Sequence, residues 1–305
     1  MRLRALLVAA FSIAGGTTAL AVDLHAQTLG CGFEEICEVA DAAVTVPARL
    51  AITAAGGNPV PGTASTLGMR VPGSPRWSIA LRGTVARAQL PPVGGSDLAA
   101  TFWSIGADAS IGLFNGFMLL PTIGGFGSVD ALASAGLLRV PEGDGFETDS
   151  PLTWALGARV GILRESFTAP GVSVSAMFRS LPDLDYARDS TVSFANDAQS
   201  VMTYRATVGK RILGLGLTAG IAHDRGSSEV SGRLVDQGWL LEHDIGPGEV
   251  SFNRTSFFGN VSYTLLILNM AAELGWQEDG DRPAGAHEDT GKGGLFGGIA
   301  VRLAI

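Results

Sequence analysis

Three pairs of acidic or histidine residues have the types and spacing that could activate water. They are His223-Asp224, His243-Asp244 and Asp183-Leu184-Asp185. An imidazole that is hydrogen-bonded to a carboxylate can act as a general base. No serine-centred elbow and no pair of metal ligands at helical spacing accompanies them. They are therefore interpreted first as polar loop residues and second as a hydrolytic site, and no catalytic residue and no metal is assigned.

The glycine-rich segments do not match nucleotide-binding motifs. The stretch from Gly285 to Lys292 is near a phosphate-binding loop, but its spacing is one residue too long and Gly293 replaces the serine or threonine. Gly214 and Gly216 lie inside an alternating segment, with no helix following to hold a dinucleotide. No cofactor is expected.

The chain has only two cysteines, Cys31 and Cys37. In an oxidising compartment they can pair, and a bridge across so short a loop excludes a regular helix there. Two thiols without a nearby histidine do not make a zinc site. We interpret the pair as a small structural disulfide.

The N-terminus predicts export. Arg2 and Arg4 precede an apolar run, and small residues lead to Ala26, which is the pattern of a cleaved signal peptide over residues 1–26. Its removal takes two of the 21 basic and one of the 29 acidic residues, so the net charge changes from −8 to −9. An exported acidic chain is not expected to bind nucleic acid.

The elements that must position these residues are strands. The sequence is 46% hydrophobic and only 16% charged, with a mean hydropathy of +0.29. Beyond the signal region no apolar run is long enough for a membrane helix. Apolar residues instead recur at every second position, which is typical of strands. The predicted strands cover residues 77–86, 101–113, 117–139, 152–162, 172–179, 202–209, 213–221, 257–265, 266–276 and 295–305.

The two faces of these strands differ in a way that predicts a closed barrel. One face is branched and apolar, whereas the other carries glycine, serine, threonine and alanine with sparse charges. Small residues suit the crowded interior of a barrel. The charges expected in the lumen are Arg82, Asp108, Arg159, Arg179, Arg205, Glu273 and Arg302. We expect the branched face to meet lipid and Arg302 to lie beside a carboxylate, with Glu273 on the adjacent strand.

The connections alternate between long and short. The predicted long ones are 88–97, 140–151, 182–200, 224–249 and 277–292, and the short ones are 114–116, 165–170, 211–213 and 265–266. This alternation predicts an all-β, antiparallel, up-and-down transmembrane barrel of ten strands over residues 76–305.

Residues 27–75 precede the barrel as a turn-rich segment, which is either a periplasmic segment or a plug inside the barrel. Alternatively, 44–54 and 66–71 form a hairpin, and the barrel then has twelve strands.

The chain from Trp77 to Ile305 resembles the bacterial outer-membrane β-barrel superfamily in its signal peptide, its loop alternation and its C-terminal strand. That strand, from Leu295 to Ile305, is similar to the signal that the barrel-assembly machinery reads, although it ends in isoleucine rather than phenylalanine. The chain also has only three tyrosines. The resemblance implies an outer-membrane location, with membrane lipid and the assembly machinery as partners.

Three function classes follow from this architecture. They are a narrow passage for small or hydrophobic solutes, a structural or surface-interaction barrel with a filled interior, and a hydrolase at the rim. A non-enzymatic role is expected.

Overall fold

A computed structural model describes residues 34–69, 73–90, 98–118, 124–140, 146–148, 150–187, 192–236, 241–280 and 292–304. The signal peptide and Cys31 lie outside these residues. The described chain contains one helix, α1 (Glu34–Ala55), and twelve strands. In the described part, no helix has the length and hydropathy that a bilayer crossing requires.

The strands follow α1 along the chain. They are β1 (Trp77–Leu90), β2 (Leu98–Phe114), β3 (Ser128–Arg139), β4 (Phe146–Glu147), β5 (Leu152–Leu163), β6 (Gly171–Ser180), β7 (Leu184–Ala187), β8 (Val192–Ile212), β9 (Leu215–Asp236), β10 (Leu241–Leu265), β11 (Leu268–Gln277) and β12 (Gly294–Ala304).

Ten of these strands, all except the short β4 and β7, form a closed antiparallel barrel. Each barrel strand pairs with the next one along the chain, and β12 closes the ring by pairing with β1 from Ala304 opposite Ser78 to Phe296 opposite Ala86. The predicted ten-strand up-and-down barrel is confirmed. The twelve-strand alternative is wrong, because residues 44–54 belong to α1 and form no hairpin.

The outer face of the barrel is apolar and the inner face is small or polar. On β5, for example, Leu152, Trp154 and Leu156 point outward and are 42–57% exposed, while Thr153 and Ala155 point inward and are buried. The same alternation runs through β1, β2, β6 and β8–β12. Exposing such a continuous apolar band to water would be costly, whereas it matches the hydrocarbon of a bilayer. The barrel is therefore of the transmembrane type.

The two ends of the barrel are built differently. At one, the turn end, connections 164–170, 213–214 and 266–267 lie beside the start of β1 and the end of β12. The two tightest turns begin with the left-handed residues Leu213 (φ 51°) and Leu266 (φ 57°). At the opposite end, the loop end, residues 91–97, 237–240 and 281–291 fall in connections and lie outside the described residues.

Three predicted boundaries are wrong. β3 begins at Ser128 rather than at residue 117, so the preceding turn-end connection is long. The predicted loops 182–200 and 224–249 are largely strand, because β8, β9 and β10 continue past the barrel at the loop end and pair with one another there. β7 and β4 widen this extension from the outer edge of β8.

Candidate functional site: the plugged lumen

The lumen contains a plug, which we define as residues 45–69, the second half of α1 and the irregular segment after it. Nearly every residue of the plug is buried. It runs along the barrel from the loop end, where Arg49 contacts Gln277, to the turn end, where Met69 contacts Asn115. The helix therefore enters from the loop end, and the chain leaves at the turn end to begin β1.

At the loop end, a buried arginine binds the plug to the wall. Arg49 is 1% exposed, and its guanidinium donates to Gln277 Oε1 (3.0 Å) and to the carbonyl oxygens of Lys292 (2.8 Å) and Gly294 (3.5 Å). Burial, with a smaller effect from the nearby Arg254, lowers the pKa of Arg49 to about 10. The guanidinium remains charged at neutral pH and binds the rim of the barrel to α1.

The middle of the barrel holds α1 by both polar and apolar contacts. The carbonyl oxygen of Thr53 accepts hydrogen bonds from Thr84 on β1 and from Ser104 on β2, the latter at 2.8 Å. Beside it, Ile52 packs in a small buried cluster whose other members come from four strands, namely Ala86, Ala222, Phe258 and Phe296.

Arg82 on β1 caps the C-terminal end of α1. Its guanidinium donates to the carbonyl oxygens of Ala55 (2.6 Å) and Asn58 (2.8 Å), and it pairs with Asp108 on β2 at 2.7 Å. A cation at this position interacts favourably with the carbonyl groups that have no partner within the helix at its C-terminal end. Arg82 therefore links β1 to β2 through Asp108 and also binds the plug to the wall.

Glu273 on β11 binds the turn that follows the helix. Its two carboxylate oxygens accept hydrogen bonds from the backbone N–H groups of Gly57 (2.6 Å) and Asn58 (2.7 Å). From β8, three strands away around the ring, Arg205 donates to the carbonyl oxygen of Gly56 at 3.0 Å. Charge-assisted bonds of this kind are stronger than bonds between neutral groups.

A second ion pair holds the part of the plug that lies near the turn end. Asp130 on β3 and Arg159 on β5 are both fully buried and lie 2.7 Å apart. The same carboxylate accepts hydrogen bonds from the backbone N–H groups of Leu67 (2.9 Å) and Gly68 (3.3 Å). Asp130 thereby joins two wall strands to the plug.

The predicted lumen charges all lie on the inward face of the wall, and Arg82 pairs there with Asp108. Arg82, Arg205 and Glu273 bind the plug around residues 55–58, and Arg159 acts through Asp130. Arg179 is buried on the inner face of β6.

Arg302 does not lie beside Glu273. It pairs in register with Asn269, four residues away along β11, and none of the carboxylates in the described residues forms an ion pair with it.

His223 and Asp224 lie on opposite faces of β9 and do not form a hydrogen-bonded pair. His223 faces outward, where its Nδ1 lies 3.3 Å from Thr255 Oγ1, and its neighbour Asp224 points to the opposite face and is buried. His243-Asp244 lies within β10, and Asp183 is exposed between β6 and β7. Among the described residues, no group of three or more histidine, cysteine, aspartate or glutamate side chains could hold a metal.

The cysteine prediction is only partly addressed. α1 begins at Glu34 and includes Cys37, so the expectation that the disulfide excludes a helix is wrong for residues 34–37. Because Cys31 lies outside the described residues, the disulfide itself stays a prediction.

Two residues that hold the plug, Asp130 and Arg49, were not among the predicted site residues. Asp130 lies in the predicted strand with the least clear alternation, and Arg49 lies in the segment left open between a plug and a hairpin. The one available signal was the near absence of acidic residues on the inward faces, which marks Asp108, Asp130 and Glu273 as exceptions that need partners.

No protein-family model and no curated protein sequence matches the chain. Solved structures to which it is similar are outer-membrane β-barrel proteins. They include the copper transporter OprC (12% identity, TM-score 0.31, 78% of this chain and 43% of that one), the outer-membrane protease OmpT from Escherichia coli (13%, 0.36, 79% and 98%) and an outer-membrane channel from Pseudomonas putida (10%, 0.40, 81% and 99%). The chain thus spans less than half the length of OprC. At these identities and TM-scores, the likeness carries no argument about function.

Proposed function

We propose that this protein is an outer-membrane barrel that is closed by its own plug and that admits small solutes when the plug moves. The observation that carries the proposal is the way the plug is held. Many of its hydrogen bonds to the wall join a charged wall side chain to a backbone group of the plug. Water can replace such bonds, whereas it cannot replace a continuous apolar interface.

The space left around the plug supports a closed resting state. Beside Pro61, a cavity of about 10 Å³ lies between the plug and a wall region that includes Arg82, Asn260 and Glu273. A volume of this size holds about one water molecule. This gap gives a solute no room to pass between Pro61 and these wall residues unless the plug shifts.

The proposed location follows from the outer surface. A closed barrel with an apolar band, exported by an N-terminal signal, fits the outer membrane, and its lipid would be the partner of the outward face. The loop end would face outside and the turn end the periplasm. β12 would then be the strand that the assembly machinery reads.

A disulfide between plug and wall tests the proposal. The hydroxyls of Thr66 on the plug and Ser128 on β3 lie 2.5 Å apart and are buried. Thr66→Cys with Ser128→Cys, in a background with Cys31→Ser and Cys37→Ser, should lock the plug when oxidised. The matched control is Ser78→Cys with Ser110→Cys, a hydroxyl pair at 2.7 Å that joins two wall strands.

The measurement is the conductance of the refolded protein in a planar bilayer. We expect discrete openings in the background protein and in the oxidised control, loss of openings in the oxidised plug lock, and their return on reduction. Openings that persist in the oxidised plug lock would contradict movement of the plug at this point.

A filled structural barrel is the second candidate, and the burial of several charged groups around the plug favours it. Silence from every correctly folded variant, including one that lacks residues 27–75, would support this candidate. A rim hydrolase has no assembled site in the described residues.

A further inference from the structure

A cavity at the turn end of the lumen has no role in the closure of the barrel by the plug. It has a volume of about 360 Å³ and lies between the plug, the start of β1 and the end of β12. Its lining includes Arg76, Trp77, Arg164, Glu165, Arg211 and Arg302. Arg76 and Arg211 are exposed, so the cavity is reached from the turn end.

The lining carries an excess of positive charge. Its four arginines come from four separate segments and face one carboxylate, that of Glu165, which leaves a formal charge of +3. Glu165 is already engaged, because it accepts a hydrogen bond from the backbone N–H of Arg211 and lies 3.9 Å from the guanidinium of the same residue. Among the described residues, Arg76, Arg164 and Arg302 form no ion pair with a carboxylate.

Arg302 is the least compensated of the four. Its side chain is 4% exposed, and its Nε has no hydrogen-bond partner within the described residues. The Nε of Arg164 is also buried without a partner there, although its Nη2 donates to the carbonyl oxygen of Asn115 at 3.2 Å. Burial and the nearby Arg76 lower the pKa of Arg164. Leaving buried charges unpaired is costly, and a bound anion would remove that cost.

We propose that this cavity is a binding site for a small, multiply charged oxyanion, either a phosphate ester or a polycarboxylate. Guanidinium groups match both anions because they donate paired hydrogen bonds to two oxygens at once. The plug adds the hydroxyl of Ser65 to the lining; its oxygen accepts a hydrogen bond from the backbone N–H of Glu165 at 3.0 Å, so its proton can be donated to a further oxygen. The site does not depend on whether the barrel conducts.

Calorimetric titration of the refolded full-length protein in detergent tests this site, with pyrophosphate and citrate as probes. We expect both to bind and Arg302→Gln to weaken binding about tenfold or more, since bonds to a charged partner are lost. Arg76→Gln, at an exposed position, should also weaken binding and provides a variant with little risk to folding. The control is Arg87→Gln, which removes the same charge from the outer face of β1.

Folding of each variant is verified by the heat-dependent shift of the barrel on a gel. Absence of binding to the folded wild-type protein would overturn the proposal. Equal affinities in the wild type, Arg302→Gln and Arg76→Gln would overturn it too.

A titration in lipid nanodiscs identifies the source of the oxyanion. If the natural ligand is a lipid headgroup, nanodiscs of phosphatidylglycerol should abolish pyrophosphate binding, whereas nanodiscs of phosphatidylcholine should leave it intact. Equal pyrophosphate binding in the two lipids would assign the site to a free anion.

Discussion

Asp130 shows how a single buried carboxylate can serve two purposes. It neutralises Arg159 and, with its remaining lone pairs, holds the backbone of Leu67 and Gly68. A buried ion pair repays its desolvation only when further hydrogen bonds satisfy both partners, and here the plug supplies them for Asp130.

Asp130→Asn should therefore be strongly destabilising. It leaves the fully buried Arg159 uncompensated, and removing one partner of such a pair costs about 3–5 kcal/mol. The free energy of unfolding, from urea titration in detergent micelles, is the measurement. Asp130→Asn combined with Arg159→Gln should cost less than the sum of the single changes. Additive losses would show that the two groups do not depend on each other.

Glu273→Gln should loosen the plug without disturbing the wall. The amide keeps one oxygen, which is an uncharged and weaker acceptor, and its NH2 group cannot accept from the second of the N–H groups of Gly57 and Asn58, so we expect a loss of about 2 kcal/mol. In the conductance measurement, openings should become more frequent. The control Glu229→Gln changes an exposed residue on β9 and should alter neither quantity. A stable but silent Glu273→Gln variant would separate the carboxylate from closure.

Alternation predicted the face of each lumen charge but not its partner. The period of two fixes whether a side chain points inward, and it does so for Arg82, Glu273 and Arg302 alike. Their partners are set by the plug, whose residues lie far away in sequence, such as Gly57 and Glu273, 216 positions apart. No local pattern encodes that distance. Arg302 was expected beside a carboxylate, but the register between β11 and β12, which alternation does not fix, places it opposite Asn269.

At the scale of elements, the plug and β2 approach each other closely at the turn end. A side chain on Gly112 would overlap the backbone of Gly68, so glycine is required at this point in the wall. The same approach coincides with the irregularity in the pairing of β2 and β3 between Gly112 and Phe114. The wall is thus shaped to admit the plug.

Gly112→Ala should push the plug away from β2. Overpacking of this kind costs about 1–3 kcal/mol, and we expect a corresponding loss in the free energy of unfolding. The matched control is Gly259→Ala on β10, where an added methyl group meets no atom within 4 Å. Equal stability of the two variants would mean that the plug accommodates the methyl group.

The loop-end parts of β8, β9 and β10 could not be predicted from the alternation of apolar residues. The membrane parts of β8, β9 and β10 were predicted because one face is apolar. Their continuations at the loop end lack that contrast, so they resembled loops. Pairing between neighbouring strands keeps them extended. Backbone hydrogen bonds between distant segments leave no trace in local hydropathy.

At the scale of the whole molecule, the direction of the plug fixes the position of α1. Arg49 lies at the loop end and Thr53 near the middle of β1, so residues before Arg49 continue toward the loop end. An epitope inserted immediately before Glu34 should therefore bind antibody on intact cells. An epitope at Gly73, next to β1, should bind only after the outer membrane is permeabilised. The reverse pattern would overturn the orientation.

The plug also constrains the order in which the molecule can be built. β1 directly follows the plug, and the ring is completed only when β12, the last strand, pairs with β1. If the ring closed first, the 22-residue helix α1 would have to enter the lumen end-on. Its hydrogen bonds to the wall would then have to form in a space that the wall side chains already enclose. Enclosing the helix as the strands assemble requires no such passage. The β1–β12 seam should therefore form last, around a helix already in place, and the closed ring then retains the plug as long as the seam holds.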